Sequence, residues 1–96
     1  MTDITTTVIP KFSANKLGGA KVIEVVTPAT AVSTDTFNLL LSDFAASTVV
    51  YALGFTSDGS IVVLEQPSTA VSNGVLTVTI GGTAVTSMRT ILIGVQ

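Results

Sequence analysis

Thr, Val and Ile account for 37 of the 96 residues, as 16, 14 and 7 copies. Branching at Cβ stiffens χ1 and suits these side chains to a pleated surface better than to a helix. Gly, Pro, Asn and Asp interrupt the chain about every ten residues, and no window of about 11 residues or more carries a helical apolar period. The reading is an all-β chain, folded as a two-sheet antiparallel β-sandwich, Ig-like or jelly-roll, of about seven strands. The Cys–Trp–Cys core of antibody domains is absent, because the chain has neither Cys nor Trp. Any Ig likeness is therefore one of architecture.

The pattern predicts a first edge strand over Ile4 to Ile9, ended by Pro10, which has no N–H for a ladder. Lys11 to Gly19 reads as an irregular arm, so the chain divides into residues 1–19, an N-terminal edge strand and arm, and 20–96, the sandwich. Further strands are expected over Ala20 to Thr27, Asp35 to Leu41, Thr48 to Phe55, Ser60 to Gln66, Val75 to Ile80 and Met88 to Val95. Ser42 to Ala46 reads as a bend or single helical turn with Ser42 or Asp43 as its N-cap. Ser57-Asp58-Gly59 and Asn73-Gly74 read as tight turns. Alternation sends Phe37, Leu39 and Leu41, then Val49, Tyr51, Leu53 and Phe55, then Leu76, Val78 and Ile80, then Ile91, Ile93 and Val95 to the core.

Charge is scarce: 4 Lys and Arg stand against 6 Asp and Glu, a net charge of −2. That balance gives no electrostatic basis for binding nucleic acid or an anionic membrane surface. With 47% hydrophobic and 10% charged residues the chain is also unlike a disordered one. The longest nearly apolar stretch, Val49 to Phe55, is seven residues, far short of the roughly 20 of a spanning helix. Met1 to Thr7 has neither the basic nor the apolar region of a secretory signal, so synthesis in the cytosol is the expectation.

Side-chain chemistry is limited in the same way. Without His or Cys there is no imidazole base, no thiolate nucleophile and none of the usual zinc ligands. A Ser or Thr nucleophile would need a Lys or a carboxylate as its base, and 25 Ser and Thr residues make a chance neighbour of Lys16 or Lys21 almost certain. A carboxylate pair would come from Glu24, Glu65, Asp35, Asp43 and Asp58. Asp58 is better read as turn chemistry and Asp35 and Asp43 as caps or bends, with Glu24 and Glu65 at solvent-facing strand positions. No D-x-D-x-D spacing supports calcium. Gly18-Gly19 and Gly81-Gly82 lack the Lys-Ser/Thr of a phosphate loop and read as turns. The expectation is a protein that is not an enzyme and holds no cofactor or metal.

What the chain has in surplus is apolar residues on second faces. Leu40, Val50, Ala52, Val75 and Leu92 fall on positions expected to face outward, and Ile61 to Leu64 is apolar on both sides. Contiguous exposed apolar surface marks interfaces, and a domain this small gains from burial between chains. Leu40, Val50, Leu64 and Leu92 are therefore candidate partner-binding residues. Lys11, Phe12 and Lys16 on the arm are a second group, either closing the sandwich edge or anchoring a neighbouring chain.

Lys21 to Val26, Asp35-Thr36-Phe37, Ser47 to Phe55 with Val-Val-Tyr-Ala-Leu-Gly, Gly74 to Ile80 and Ile91 to Val95 together resemble the small β-sandwich proteins that decorate the heads of tailed bacteriophages. The resemblance covers about Ala20 to Gln96, in pattern and size, and no functional residue carries over from it. It implies a non-enzymatic virion protein, made in the host cytoplasm, that cements the capsid exterior by docking on the major capsid protein, often as a homotrimer. A receptor- or glycan-recognising binding module and a self-assembling structural subunit are the competing classes.

Overall fold

A computed structural model of the chain describes residues 2–17, 20–58, 61–82 and 86–96. Its strands are β1 (Ile9–Leu17), β2 (Ala20–Val26), β3 (Thr36–Leu40), β4 (Val49–Asp58), β5 (Ile61–Leu64), β6 (Ser68–Ser72), β7 (Val75–Thr79) and β8 (Arg89–Val95). Single 3-10 turns cover Thr5–Thr7 and Leu41–Phe44. Five strands form one sheet in the order β1-β2-β8-β4-β5 and three form a second, β3-β7-β6, with every strand pair antiparallel. The expected two-sheet β-sandwich is the fold.

The two sheets close over one apolar core. Ile23 and Val25 of β2 and Ile91, Ile93 and Val95 of β8 meet Phe37 and Leu39 of β3 and Leu76 and Val78 of β7. These are the residues whose period-2 alternation survives into the structure, because the β2–β8 and β3–β7 pairings run in unbroken register. A register slip of one residue there would turn Ile91, Ile93 and Val95 into solvent.

The N-terminal segment differs from its sequence reading. Thr5–Thr7 is a 3-10 turn rather than strand, and the segment expected to be an irregular arm is β1, paired with β2 from Ile9↔Val26 to Leu17↔Ala20 with one irregularity between Ser13 and Lys16. Pro10 does not end this strand because β1 is a sheet edge, where a missing N–H is tolerated. Ile4 and Val8 sit in the core, and the backbone beside them covers the free edge of β3: the Ile4 N–H donates to Thr36 O at 2.7 Å and the Thr36 N–H to Thr2 O at 2.8 Å. Gly18 and Gly19 lie outside the described residues.

Three more expectations are corrected. The 3-10 turn after β3 starts at Leu41, with no side-chain cap from Ser42 or Asp43. It is anchored by packing instead, since Leu41 is buried and its N–H bonds Gly74 O at 3.0 Å. Ser57 and Asp58 continue β4 up to the pair Asp58↔Ile61, while Gly59 and Ser60 fall outside the described residues. An eighth strand, β6, occupies Ser68–Ser72, where small polar residues gave no strand signal. The Asn73-Gly74 turn that joins it to β7 is as expected, both residues having positive φ (52° and 77°).

Strand β4 carries the largest change of face. Val49 pairs with Val95 but Tyr51 pairs with Gly94, so Val50 is the extra residue of a β-bulge. From the bulge onward the alternation is inverted. Ala52 pairs with Ile93 and Gly54 with Ile91 on the core side, which sends Tyr51, Leu53 and Phe55 outward. Gly54 has no room for a side chain, since a Cβ there would collide with the backbone oxygen of Glu65 and crowd Pro67. Gly54→Ala should therefore destabilise the fold by about 1–3 kcal/mol, as an overpacked core position does. Chemical denaturation of the two proteins measures this, with unchanged stability as the contrary result.

Candidate functional site: an outward-facing apolar sheet

The register of the five-stranded sheet decides what its outward face presents. One row across the strands is Val26, Thr90, Phe55 and Leu64, the next is Glu24, Leu92 and Leu53, and the third is Val22, Gly94 and Tyr51. Apart from Leu64, which is 60% exposed, these residues are half-buried, sheltered by one another, or, in the case of Gly94, covered by the Tyr51 ring. Lys11 is exposed and stands directly across from Glu24, so that the one acidic residue in these three rows has an opposite charge as its cross-strand neighbour.

The three-stranded sheet is built to the opposite rule. Its outward positions are Thr36, Asn38 and Leu40 on β3, Val75, Thr77 and Thr79 on β7, and Ser68, Ala70 and Ser72 on β6. The Thr77 hydroxyl donates to Asn38 Oδ1 at 2.8 Å across this face. Leu40, 48% exposed, has only Val75 as an apolar neighbour in its row. A polar-out sheet thus packs against a sheet that is apolar on both sides, while the exposed Leu40, Val50, Val63, Val71 and Met88 lie off that outward face.

The candidate residues are thus divided. Leu92 and Leu64 belong to the outward face of the five-stranded sheet, and Lys11 is at its β1 edge. Val50 is exposed at the bulge, and Leu40 lies on the other sheet. The backbone of Phe12 and Lys16 is part of β1, while their side chains lie outside the described residues. Tyr51, Leu53 and Phe55, which sequence reasoning assigns to the core, complete the face around Leu92. The available signal was Gly54, since a glycine inside a strand marks a bulge or a close backbone approach. The Tyr51 ring lies over Gly94, where any side chain would strike it, and its hydroxyl oxygen is buried without a hydrogen-bond partner among the described residues. Removing that oxygen relieves an uncompensated desolvation, so Tyr51→Phe should melt at the same or a higher temperature than the parent, and a clearly lower melting temperature would contradict this account.

The candidate carboxylates have separate surroundings among the described residues. Asp35 is buried and structural, accepting the N–H of Val32 at 3.0 Å and of Thr2 at 3.2 Å. Asp43 is exposed on the 3-10 turn, and the Asp58 side chain lies outside the described residues. Asp3 is held below the usual carboxylate range by the Thr5 hydroxyl and then by the Thr5 N–H. Lys21 donates to Ala45 O at 3.1 Å. Among the described residues no three His, Cys, Asp or Glu gather where they could hold a metal ion.

Glu65 is the exception to its sequence reading: it is buried instead of solvent-facing, 7% exposed, and its Oε1 accepts from Arg89 Nε at 2.7 Å. Arg89 is itself 2% exposed and also donates from Nη1 to Ala31 O at 2.8 Å and to Ser87 O at 3.3 Å. The strand register could not reveal this pair, because Glu65 lies beyond the end of β5. Removing one partner strands the other charge in the interior, so Arg89→Ala or Glu65→Ala should cost about 3–5 kcal/mol in denaturant unfolding, whereas Arg89→Met with Glu65→Leu should cost much less than the sum of the two. Additive losses would show that the two side chains do not act as a pair.

Comparison with known protein families, with curated proteins and with solved structures gave no match.

Proposed function

We propose that this chain is a non-enzymatic structural subunit that docks the outward face of its five-stranded sheet on a larger protein assembly. The assembly we infer is a phage capsid, with the chain cementing the shell from outside by binding the major capsid protein. The observation that carries the docking reading is the apolar face made by Val22, Val26, Tyr51, Leu53, Phe55, Leu64 and Leu92, on a sheet whose other side already fills the core. The capsid as partner rests on the resemblance of Ala20 to Gln96 to head-decorating proteins.

Physically, each copy would remove part of this face from water at about 25 cal/mol per Å² of apolar area. The Lys11 and Glu24 pair at its margin would set orientation more than affinity. A single sheet face gives a modest interaction. Many copies clipped across the seams of one shell would resist expansion together, since each clip holds neighbours that are already held by others.

Co-sedimentation with empty shells of a tailed phage tests this. The parent chain should be retained at about micromolar concentration, and Leu92→Lys, which puts an ammonium in the middle of the face, should lose at least about tenfold in affinity with unchanged thermal stability. No retention of the parent would overturn the capsid reading. Undiminished binding by Leu92→Lys would overturn the choice of face.

A further inference from the structure

The sandwich has four sheet edges, and two of them are guarded. The β1 edge carries Pro10, Lys11 and the irregularity between Ser13 and Lys16, all devices that discourage strand addition. The β3 edge is covered by residues 2–5, with Asn38 N–H taken up by the Thr5 hydroxyl at 3.0 Å. The β5 edge, Ile61–Leu64, has no charge, proline or bulge, but it is short, and the chain leaves its sheet just after Glu65, whose N–H still bonds Gly54 O at 2.7 Å. The β6 edge, Ser68-Thr69-Ala70-Val71-Ser72, has no charge, no proline and no bulge, and all five residues are exposed.

Which backbone groups of β6 are free follows from the hairpin. A two-residue turn makes its flanking residues, Ser72 and Val75, a hydrogen-bonded pair, and hydrogen-bonded and open pairs then alternate. The Leu41 N–H bond to Gly74 O is consistent with this, as it makes Leu40↔Val75 an open pair on the β3 side and turns the Val75 groups toward β6. Ser68, Ala70 and Ser72 therefore bond to β7. The N–H and C=O of Thr69 and Val71 point away from the sheet.

These groups are self-complementary. About a two-fold axis at Ala70, antiparallel pairing sets Thr69 opposite Val71 of a second copy and Val71 opposite its Thr69, which satisfies four hydrogen bonds. Ser68 then faces Ser72, and Ala70 faces Ala70 at the close, open-pair spacing that a small side chain suits. No like charges meet. A separate observation points to the same partner: Val71 shares the core-facing side of its sheet with Leu76, which is fully buried, yet Val71 is 46% exposed. Thr69 and Val71 are both left exposed on that side, and the Thr69 and Val71 of a second copy would lie beside them.

We infer that β6 is a self-association edge, through which two copies of this chain join their three-stranded sheets into one continuous six-stranded sheet. The interface is isologous, as two-fold contacts are, and small, so the dimer is weak. It uses a different surface from the proposed docking face, and leaves that face open on both copies.

The absence of cysteine allows a clean test on the full chain. In Ala70→Cys the two sulfurs meet at the axis, where a Cα separation of about 4.5 Å lies within the range for a disulfide. In Ser72→Cys they are held about 13 Å apart on opposite sides of the axis. Mild oxidation should convert most Ala70→Cys to a covalent dimer at a concentration where Ser72→Cys stays largely monomeric. In sedimentation equilibrium the parent should show a monomer–dimer equilibrium that Ala70→Lys weakens at least about tenfold, by placing two ammonium groups opposite each other. Leu92→Lys should leave that equilibrium unchanged. Equal crosslinking of the two cysteine variants, a strictly monomeric or trimeric parent, or a dimer lost in Leu92→Lys but kept in Ala70→Lys would each overturn the inference. None of these results depends on whether capsids are bound.

Discussion

Arg89 and Glu65 are taken out of water together at the end of the sandwich where three chain crossings between the sheets converge. The guanidinium bonds the Glu65 carboxylate in the β5–β6 crossing, Ala31 O in the β2–β3 crossing and Ser87 O in the β7–β8 crossing. The Arg89 backbone N–H donates to the hydroxyl oxygen of Thr27, another buried residue of the β2–β3 crossing. A planar donor with several N–H groups is suited to this, because one side chain can satisfy carbonyls from separate segments. Two glycines make the approach possible, since a Cβ on Gly81 would strike Gln66 O and one on Gly82 would strike the Glu65 carboxylate. The pairing of β8 with β2 and β4 starts next to this cluster, so the same interaction that closes the end of the sandwich also fixes where the central strand enters its sheet.

The register fixed in this way is what separates the two outward faces. On the three-stranded sheet, alternation gives apolar core and polar exterior. On the five-stranded sheet, the bulge at Val50 inverts the rest of β4 and lines Tyr51, Leu53 and Phe55 up beside Leu92. A small domain cannot bury all the apolar surface that this chain carries, and the group of Tyr51, Leu53, Phe55, Leu64 and Leu92 is the part of that excess on which the proposed docking rests. The unguarded β6 edge is separate from that face, so the two proposed contacts, one through backbone and one through side chains, fall at different places on the molecule.

The density of Thr, Val and Ile, with breakers between short runs, determined by itself that the chain is all-β and forms a two-sheet sandwich. It also determined the core of β3, β7 and β8, where unbroken alternation from Phe37 to Leu39, Leu76 to Ile80 and Ile91 to Val95 leaves one choice of face. Leu92 was legible as an outward apolar residue for the same reason, whereas Leu64 stands in a run, Ile61 to Leu64, that is apolar on both sides and leaves the choice of face open. What only the tertiary structure decided depends on contacts distant in sequence. The bulge in β4 arises from its pairing with β8. The strand character of β1 comes from β2, and that of β6 from β7, neither having a strong pattern of its own. Glu65 becomes an interior charge because Arg89 meets it from a strand 24 residues away. Period-2 patterning is local and states which side chains share a face if the strand is regular. Bulges, edges and buried ion pairs are settled between strands, where local pattern carries no information.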